Sequence, residues 1–241
     1  MSFHPKYLLP NAITMASLLL GLAAAIQAVE GNFELAAWMV LWCTLLDKLD
    51  GTVARLVGAT SKIGTELDSF ADFVSFGIAP AALIYFALAD NPLWIGNARW
   101  ALVGSCAVYV VAAAVRLARF NTADPPLGRE FFYGLPSTHV AAIITALFLT
   151  LDRHANLQAV LMIMPVVLVC CAAAMLGSFL VRKVGRFNNG FLQGLQILIF
   201  GSLYVLGPLR LWPEYMLAVG LGLLVIGTSI GAHRRRVMNP G

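Results

Sequence analysis

The sequence predicts an all-α fold, a polytopic transmembrane helical bundle of about eight spans in one membrane domain. Three observations carry this. Of the 241 residues, 60% are hydrophobic and 12% charged, where a soluble domain carries about 25% charged residues. Mean hydropathy is +0.82, so most of the chain gains nothing by facing water. Apolar runs recur from one end of the chain to the other, each long enough to cross a hydrocarbon core of about 30 Å. Helices are expected because an open strand edge finds no hydrogen-bond partners in lipid.

In chain order the expected spans lie at about 11–29, 35–56, 67–89, 99–118, 134–151, 157–181, 190–207 and 214–232. The first six make a core over about 9–183, and the last two, about 190–232, are an addition to it. The first span is followed by Val29-Glu30-Gly31-Asn32, with no small-residue cleavage pattern. It is therefore expected to stay as a helix and not to leave as a signal peptide. The positive charges test the threading. With the N-terminus in the cytoplasm, alternation leaves Arg99, Arg153 and Arg210 outside, and the rest of the 16 lysines and arginines inside. That asymmetry is what the positive-inside rule demands. The expected location is the cytoplasmic (inner) membrane, with both termini on the cytoplasmic side and no nucleic-acid partner.

Internal connections carry most of the polar residues. The stretch from Asn121 to Phe132 holds Asp124-Pro125-Pro126 and Gly128-Arg129-Glu130, so it is expected as a loop or short surface helix. A second, basic stretch runs from Arg182 through Lys183 and Arg186 to Asn189. The tail His233-Arg234-Arg235-Arg236 is either a topology anchor or a patch lying on anionic headgroups. Cys43, Cys106, Cys170 and Cys171 all fall in apolar runs without a C-x-x-C pair, and are expected to be small buried residues.

One cluster breaks the apolar pattern. Asp47, Lys48, Asp50, Arg55, Glu66, Asp68 and Asp72 fall in or beside spans two and three. An Asp or Lys at mid-bilayer costs about 2.5–3.5 kcal/mol on insertion scales, so the cluster needs a reason. Asp47 and Asp50 are three apart and share a helix face; Asp68 and Asp72, four apart, share another. The polar hinge from Gly58 to Gly64 lets the two helices run antiparallel with the pairs facing each other. Asp72 is then about 9 Å inside a helix starting at Glu66, near the cytoplasmic edge of the hydrocarbon. Four carboxylates in one pocket repel, so either some are protonated or cations are bound. Hard oxygen ligands suit Mg²⁺, Mn²⁺ or Ca²⁺. Two such ions about 3.5–4 Å apart clamp a phosphoryl group. Arg55 adds bidentate geometry for phosphate oxygens. Gly51 allows a ligand close to the helix backbone, and Gly64 a close helix approach. The plainer alternative is a salt-bridge network in which Lys48, Arg55 and Lys62 tie the helices together.

The run Asp47-x-x-Asp50-Gly51-x-x-Ala54-Arg55, then Gly64, Asp68 and Asp72 at eight, three and three intervening residues, resembles the signature of the CDP-alcohol phosphotransferases. All its fixed positions are present. The resemblance implies membrane enzymes that displace CMP from a CDP-activated lipid or alcohol with a hydroxyl group. It implies two divalent cations, Mg²⁺ or Mn²⁺, with Ca²⁺ as a crystallographic substitute. Asp47 and Asp68 would bridge them, Asp50 completing the first and Asp72 the second, with Asp72 also the catalytic base. Gly51, Arg55 and Ser61 would contact the cytidine diphosphate. Asn11-Ala12-Ile13-Thr14 matches the family's Asn-x-x-Thr near the nucleotide, although such a motif also reads as a helix cap. A homodimer is implied as well.

The stretches Leu67 to Pro80, Arg116-Leu117-Ala118-Arg119-Phe120-Asn121 and Phe132-Tyr133-Gly134-Leu135-Pro136-Ser137 resemble the family's bacterial serine-using branch. That branch implies CDP-diacylglycerol and L-serine as substrates amid membrane lipids. Together these resemblances cover most of residues 9–183. Pro136-Ser137-Thr138-His139 departs from the Pro-Ser-Pro expected there, which leaves the acceptor open among serine, choline, inositol phosphate and glycerol phosphate. A serine carboxylate needs a cation. Arg116 and Arg119, three apart, with Asn121 beside them, are the candidates, unless the arginines only snorkel to headgroups. Choline would prefer an aromatic or acidic cage. Two readings outside the family remain. Pro-Ser-Thr-His resembles the Pro-Ser-Gly-His of lipid phosphatases, without their partner pattern. Intramembrane acids also mark ion-coupled transporters, although here they gather at one boundary.

Overall fold

A computed structural model describes residues 7–58, 61–122, 131–154, 161–182 and 190–238. Asp124 to Glu130, Lys183 to Asn189 and Lys6, on which loop and charge expectations fall, lie outside these residues. So do the side chains of Arg234, Arg235 and Arg236.

The chain forms α1 (Leu8–Val29) and α2 (Phe33–Leu56), then α3 (Lys62–Asp72), a π-helical segment (Phe73–Ile78) and α4 (Ala79–Ala89). After a 3₁₀ turn come α5 (Asn97–Thr122), β1 (Phe131–Tyr133), α6 (Ser137–Arg153), α7 (Met164–Leu176), β2 (Leu180–Arg182), α8 (Gly190–Leu206) and α9 (Pro213–Met238). Because α3, the π segment and α4 run on as one rod, the described residues build eight helical rods, the number of expected spans. Leu8–Val29, Lys62–Ala89, Asn97–Thr122 and Pro213–His233 are long and apolar enough to cross a membrane on length and composition. The other rods are shorter, or, like α2, carry the charged cluster. The chain is an integral membrane helical bundle.

Local chemistry explains several boundaries. Glu34 in the first turn of α2 and Arg55 in its last both complement the helix dipole. Pro165 opens α7 where a missing N–H costs nothing. The core is a contiguous set of buried side chains from α2, α4, α5, α6 and α7, with Trp38, Leu83, Tyr109, Phe148 and Met164 at its centre. Outside it, Leu19, Leu22, Val111, Leu198 and Val225 are exposed, as lipid-facing residues are. Helix α1 packs on α2 and α3, and α9 packs on α6 and β2.

Three expectations are corrected. Helix α3 begins at Lys62, because the Ser61 hydroxyl caps it by accepting the Gly64 N–H at 3.0 Å. Gly64 is thus in the first helical turn and not in the hinge, and Asp72 is about 15 Å along the helix, not 9 Å. The sixth rod ends at Leu176 and not near 181: Gly177 turns into extended backbone and Leu180–Arg182 pairs antiparallel with Phe131–Tyr133. Gly134, at φ +66, is the corner of this ribbon. Its N–H donates to the Phe179 carbonyl at 2.9 Å and that of Leu135 to the Ala174 carbonyl at 3.1 Å, so α6 starts at Ser137, fastened to the end of α7. A side chain on Gly134 would strike the Met175 carbonyl. Finally, Cys170 is exposed and not buried.

Candidate active site

The aspartates meet although α2 and α3 touch little along their length, because α1 packs against both. Carboxylate oxygens of Asp47, Asp50 and Asp68 all lie within 4.8 Å of one another, a group that could hold a metal ion. Asp72 stands outside this close trio but within hydrogen-bonding reach of Asp47. The donor set is carboxylate oxygen throughout, which fits a hard divalent cation and not a thiolate-seeking one.

Asp50 is only 5% exposed, so its charge depends on what surrounds it. The Thr14 hydroxyl, on α1, donates to Asp50 Oδ2 at 2.8 Å and lies 3.1 Å from the Pro10 carbonyl. Asn11 reaches the neighbouring helix: a Cβ on Gly64 would stand 3.1 Å from Asn11 Oδ1 and 3.1 Å from Ser61 Oγ. The Asn-x-x-Thr segment is therefore packed on the signature helices, joined to both of them. It is not a cap, since the N-cap position of α1 is Tyr7.

Gly51 and Arg55 form an open edge of the site. A Cβ on Gly51 would meet only Arg55 Nη1, at 3.6 Å. The exposed Arg55 side chain donates to the Thr52 hydroxyl at 3.2 Å. Ser61, used as a cap acceptor, keeps its own hydroxyl hydrogen free to donate.

Asp72 is the last residue of α3, and the π-helical segment starts directly after it. Single π-helical turns are frequent at functional sites, and they leave backbone groups off the regular ladder. Here the Tyr109 hydroxyl donates to the Phe76 carbonyl at 2.7 Å, and Ser75 donates to the Ser17 carbonyl at 3.1 Å. The segment that follows Asp72 is thereby fastened to α5 and α1.

The two candidate arginines of α5 part company. Arg116 is buried, at 8% exposure, and acts electrostatically on both Asp72 and Asp47. It donates to the Ser137 hydroxyl at 2.8 Å and lies over the Phe120 ring. Arg119 is exposed and donates to the Leu176 carbonyl at 2.9 Å, closing the end of α7. Asn121 donates to the Ser69 hydroxyl at 2.9 Å, joining the end of α5 to α3 at the residue after Asp68.

Sequence reasoning missed Tyr109, and it quoted Ser69 and Ser137 only as members of motifs, because their contacts are tertiary and leave no spacing signal. His139, read from the sequence as a polar contact and not as a catalytic residue, contacts the Gly220 carbonyl of α9 at 2.9 Å. The salt-bridge alternative finds little support among the described residues, where the only ion pairs join Glu214 to Arg153 and His154, far along the chain from the aspartates.

Known proteins are similar to this chain in sequence. A protein of Helicobacter pylori (strain J99), named CDP-diacylglycerol–serine O-phosphatidyltransferase, is 40% identical over 153 residues, 64% of this chain and 62% of the relative. A Mycobacterium leprae protein of the same name is 37% identical over 147 residues, covering 58% and 46%. The archaetidylserine synthase of Methanothermobacter thermautotrophicus is 33% identical over 144 residues, covering 59% and 58%. The chain thus spans less than two thirds of the length of each of these relatives. The family model for CDP-alcohol phosphatidyltransferases matches residues 7–171, from the first turn of the Thr14 helix to the middle of α7. That stretch contains every aspartate of the cluster and the arginine beside them, and by it the chain belongs to the CDP-alcohol phosphatidyltransferase family.

Proposed function

We propose that the chain transfers the phosphatidyl group of CDP-diacylglycerol to the hydroxyl of L-serine, releasing CMP and forming phosphatidylserine. The observation that carries this is the gathering of Asp47, Asp50 and Asp68 within 4.8 Å, with Asp72 against Asp47. Serine is printed in the names of the Helicobacter pylori and Mycobacterium leprae relatives, and the Methanothermobacter name prints archaetidylserine.

Asp47, Asp50, Asp68 and Asp72 would hold two divalent cations, Mg²⁺ or Mn²⁺. When bound, such ions offset charge on the phosphoryl oxygens and the departing phosphate. Asp72 takes the proton of the serine hydroxyl. The serine oxygen forms its bond to the lipid-proximal phosphorus as the bond from that phosphorus to the oxygen of CMP breaks. CMP leaves with that oxygen. Asn11, Thr14, Gly51, Arg55 and Ser61 form the nucleotide side, where Arg55 holds phosphate oxygens.

The serine carboxylate falls to Arg116, the buried cation beside Asp72, so that acceptor and base meet on one side of the site. Arg119, bonded to the Leu176 carbonyl, and Asn121, bonded to Ser69, fasten the end of the helix that carries it. The whole lies at the cytoplasmic face of the inner membrane, with both termini inside, so the nucleotide reaches the cytosol while the acyl chains stay in lipid. A homodimer is the proposed assembly.

An acceptor panel of serine, choline, inositol phosphate and glycerol phosphate, offered with CDP-diacylglycerol and Mg²⁺ or Mn²⁺, tests the reading. CMP release driven by serine alone supports it. Release driven by another acceptor and not by serine overturns it.

A further inference from the structure

Helix α8 lies beyond the residues the family model matches, yet its side chains reach the aspartate-bearing part of α2. Its contacts fall in register. The Trp42 indole N–H donates to the Gly207 carbonyl at 2.9 Å. The Tyr204 hydroxyl donates to the Leu45 carbonyl at 3.0 Å. The Lys48 ammonium stands 4.7 Å over the Phe200 ring. As α2 advances through 42, 45 and 48, its partners recede through Gly207, just past the end of α8, and then Tyr204 and Phe200 on α8, so the contacts form one antiparallel stripe. Residues three and four apart share a face, so this stripe is continuous on both helices. Gly207 allows the closeness: a Cβ there would stand 3.0 Å from Leu45 Cδ1.

The last two contacts flank Asp47. The Tyr204 hydroxyl is within electrostatic reach of both Asp47 and Asp50, and Lys48 acts on Asp47. Groups around metal ligands commonly fix ligand direction, and their loss costs roughly 10–100-fold in metal affinity. We infer that Phe200 and Tyr204 of α8 are positioning residues for the metal-binding turn of α2. Tyr204 holds the Leu45 carbonyl one turn before Asp50, and Phe200 holds the ammonium of Lys48, the residue after Asp47, so that the turn carrying both aspartates keeps one orientation. This rests on the reading of Asp47 and Asp50 as metal ligands.

The test is Mn²⁺ binding to the purified full chain in detergent, read from the free-ion EPR signal, without lipid or acceptor. Phe200→Leu removes the ring; Phe200→Tyr keeps it. Tyr204→Phe removes only the hydroxyl. Ile197→Ala and Leu198→Ala change exposed apolar positions on the same helix. Phe200→Leu and Tyr204→Phe are expected to weaken Mn²⁺ binding by about tenfold. Phe200→Tyr, Ile197→Ala and Leu198→Ala are expected to bind as the parent does. Unchanged binding in Phe200→Leu and Tyr204→Phe overturns the inference, and so does equal weakening in the Ile197 and Leu198 variants, which would show general loosening of α8. A parent that binds no Mn²⁺ overturns the metal reading and this inference together. A parent that binds Mn²⁺ but does not use serine overturns only the acceptor.

Discussion

The Thr14 hydroxyl donates to Asp50 Oδ2 at 2.8 Å, joining the first helix of the chain to the first aspartate pair. Hydrogen bonds to charged groups contribute about 1.5–3 kcal/mol. Thr14→Val keeps the shape of the side chain and deletes the donor. It is expected to raise the divalent-cation concentration giving half-maximal CMP release by several-fold, roughly tenfold for 1.4 kcal/mol, while Thr14→Ser stays near the parent. A cation titration of CMP release in the three proteins checks this.

Asp72 sits beside the close trio of carboxylates and not within it. Asp72→Asn should therefore leave part of the cation binding and remove turnover. General-base catalysis contributes typically 10²–10⁴-fold, so a loss of at least about 100-fold is expected. Asp68→Asn, by contrast, should lose Mn²⁺ binding as well. Turnover together with Mn²⁺ binding separates the two variants, and appreciable turnover in Asp72→Asn would remove it as the base.

The separation of Arg116 from Arg119 makes a second contrast. Arg116→Lys keeps a charge but loses the planar fork that reaches Ser137. It should raise the KM for serine by roughly tenfold, the equivalent of about 1.4 kcal/mol, with little change in the KM for CDP-diacylglycerol. Arg119→Lys should leave the serine KM near the parent value and lower thermal stability, since its bond goes to the Leu176 carbonyl. Steady-state kinetics with each substrate varied in turn reads both.

Tyr109 is fully buried and its hydroxyl serves the Phe76 carbonyl within the π-helical segment. Tyr109→Phe leaves that carbonyl without its donor, a cost of about 1–3 kcal/mol. The expected result is a lower thermal midpoint and a reduced kcat, because the segment begins at the residue after Asp72. A thermal melt in detergent alongside kcat measures both effects.

Much of this was legible in the sequence. Charge inside apolar runs pointed to the cluster, and helical spacing put Asp47 with Asp50; the structure gathers Asp68 with that pair and leaves Asp72 outside the trio. The rods themselves followed from apolar length. What stayed hidden has a physical reason in each case. The ribbon of Phe131–Tyr133 with Leu180–Arg182 joins segments distant in sequence, and apolar runs of that length read equally as helix. The π-helical segment has no periodicity of its own over six residues. The spacing of Arg116 and Arg119 suggested one shared face, but Ser137 draws one inward while the end of α7 takes the other. Asp72's place beside the trio depends on how α3 and α2 are held, which no spacing within one helix records.

The most direct test supplies purified protein with CDP-diacylglycerol, isotope-labelled L-serine and Mn²⁺, and follows label into the lipid phase. The expected result is labelled phosphatidylserine with CMP formed in equal amount, and neither product once the cation is chelated. Label remaining in water while another acceptor releases CMP, or label entering lipid without any divalent cation, would contradict the account.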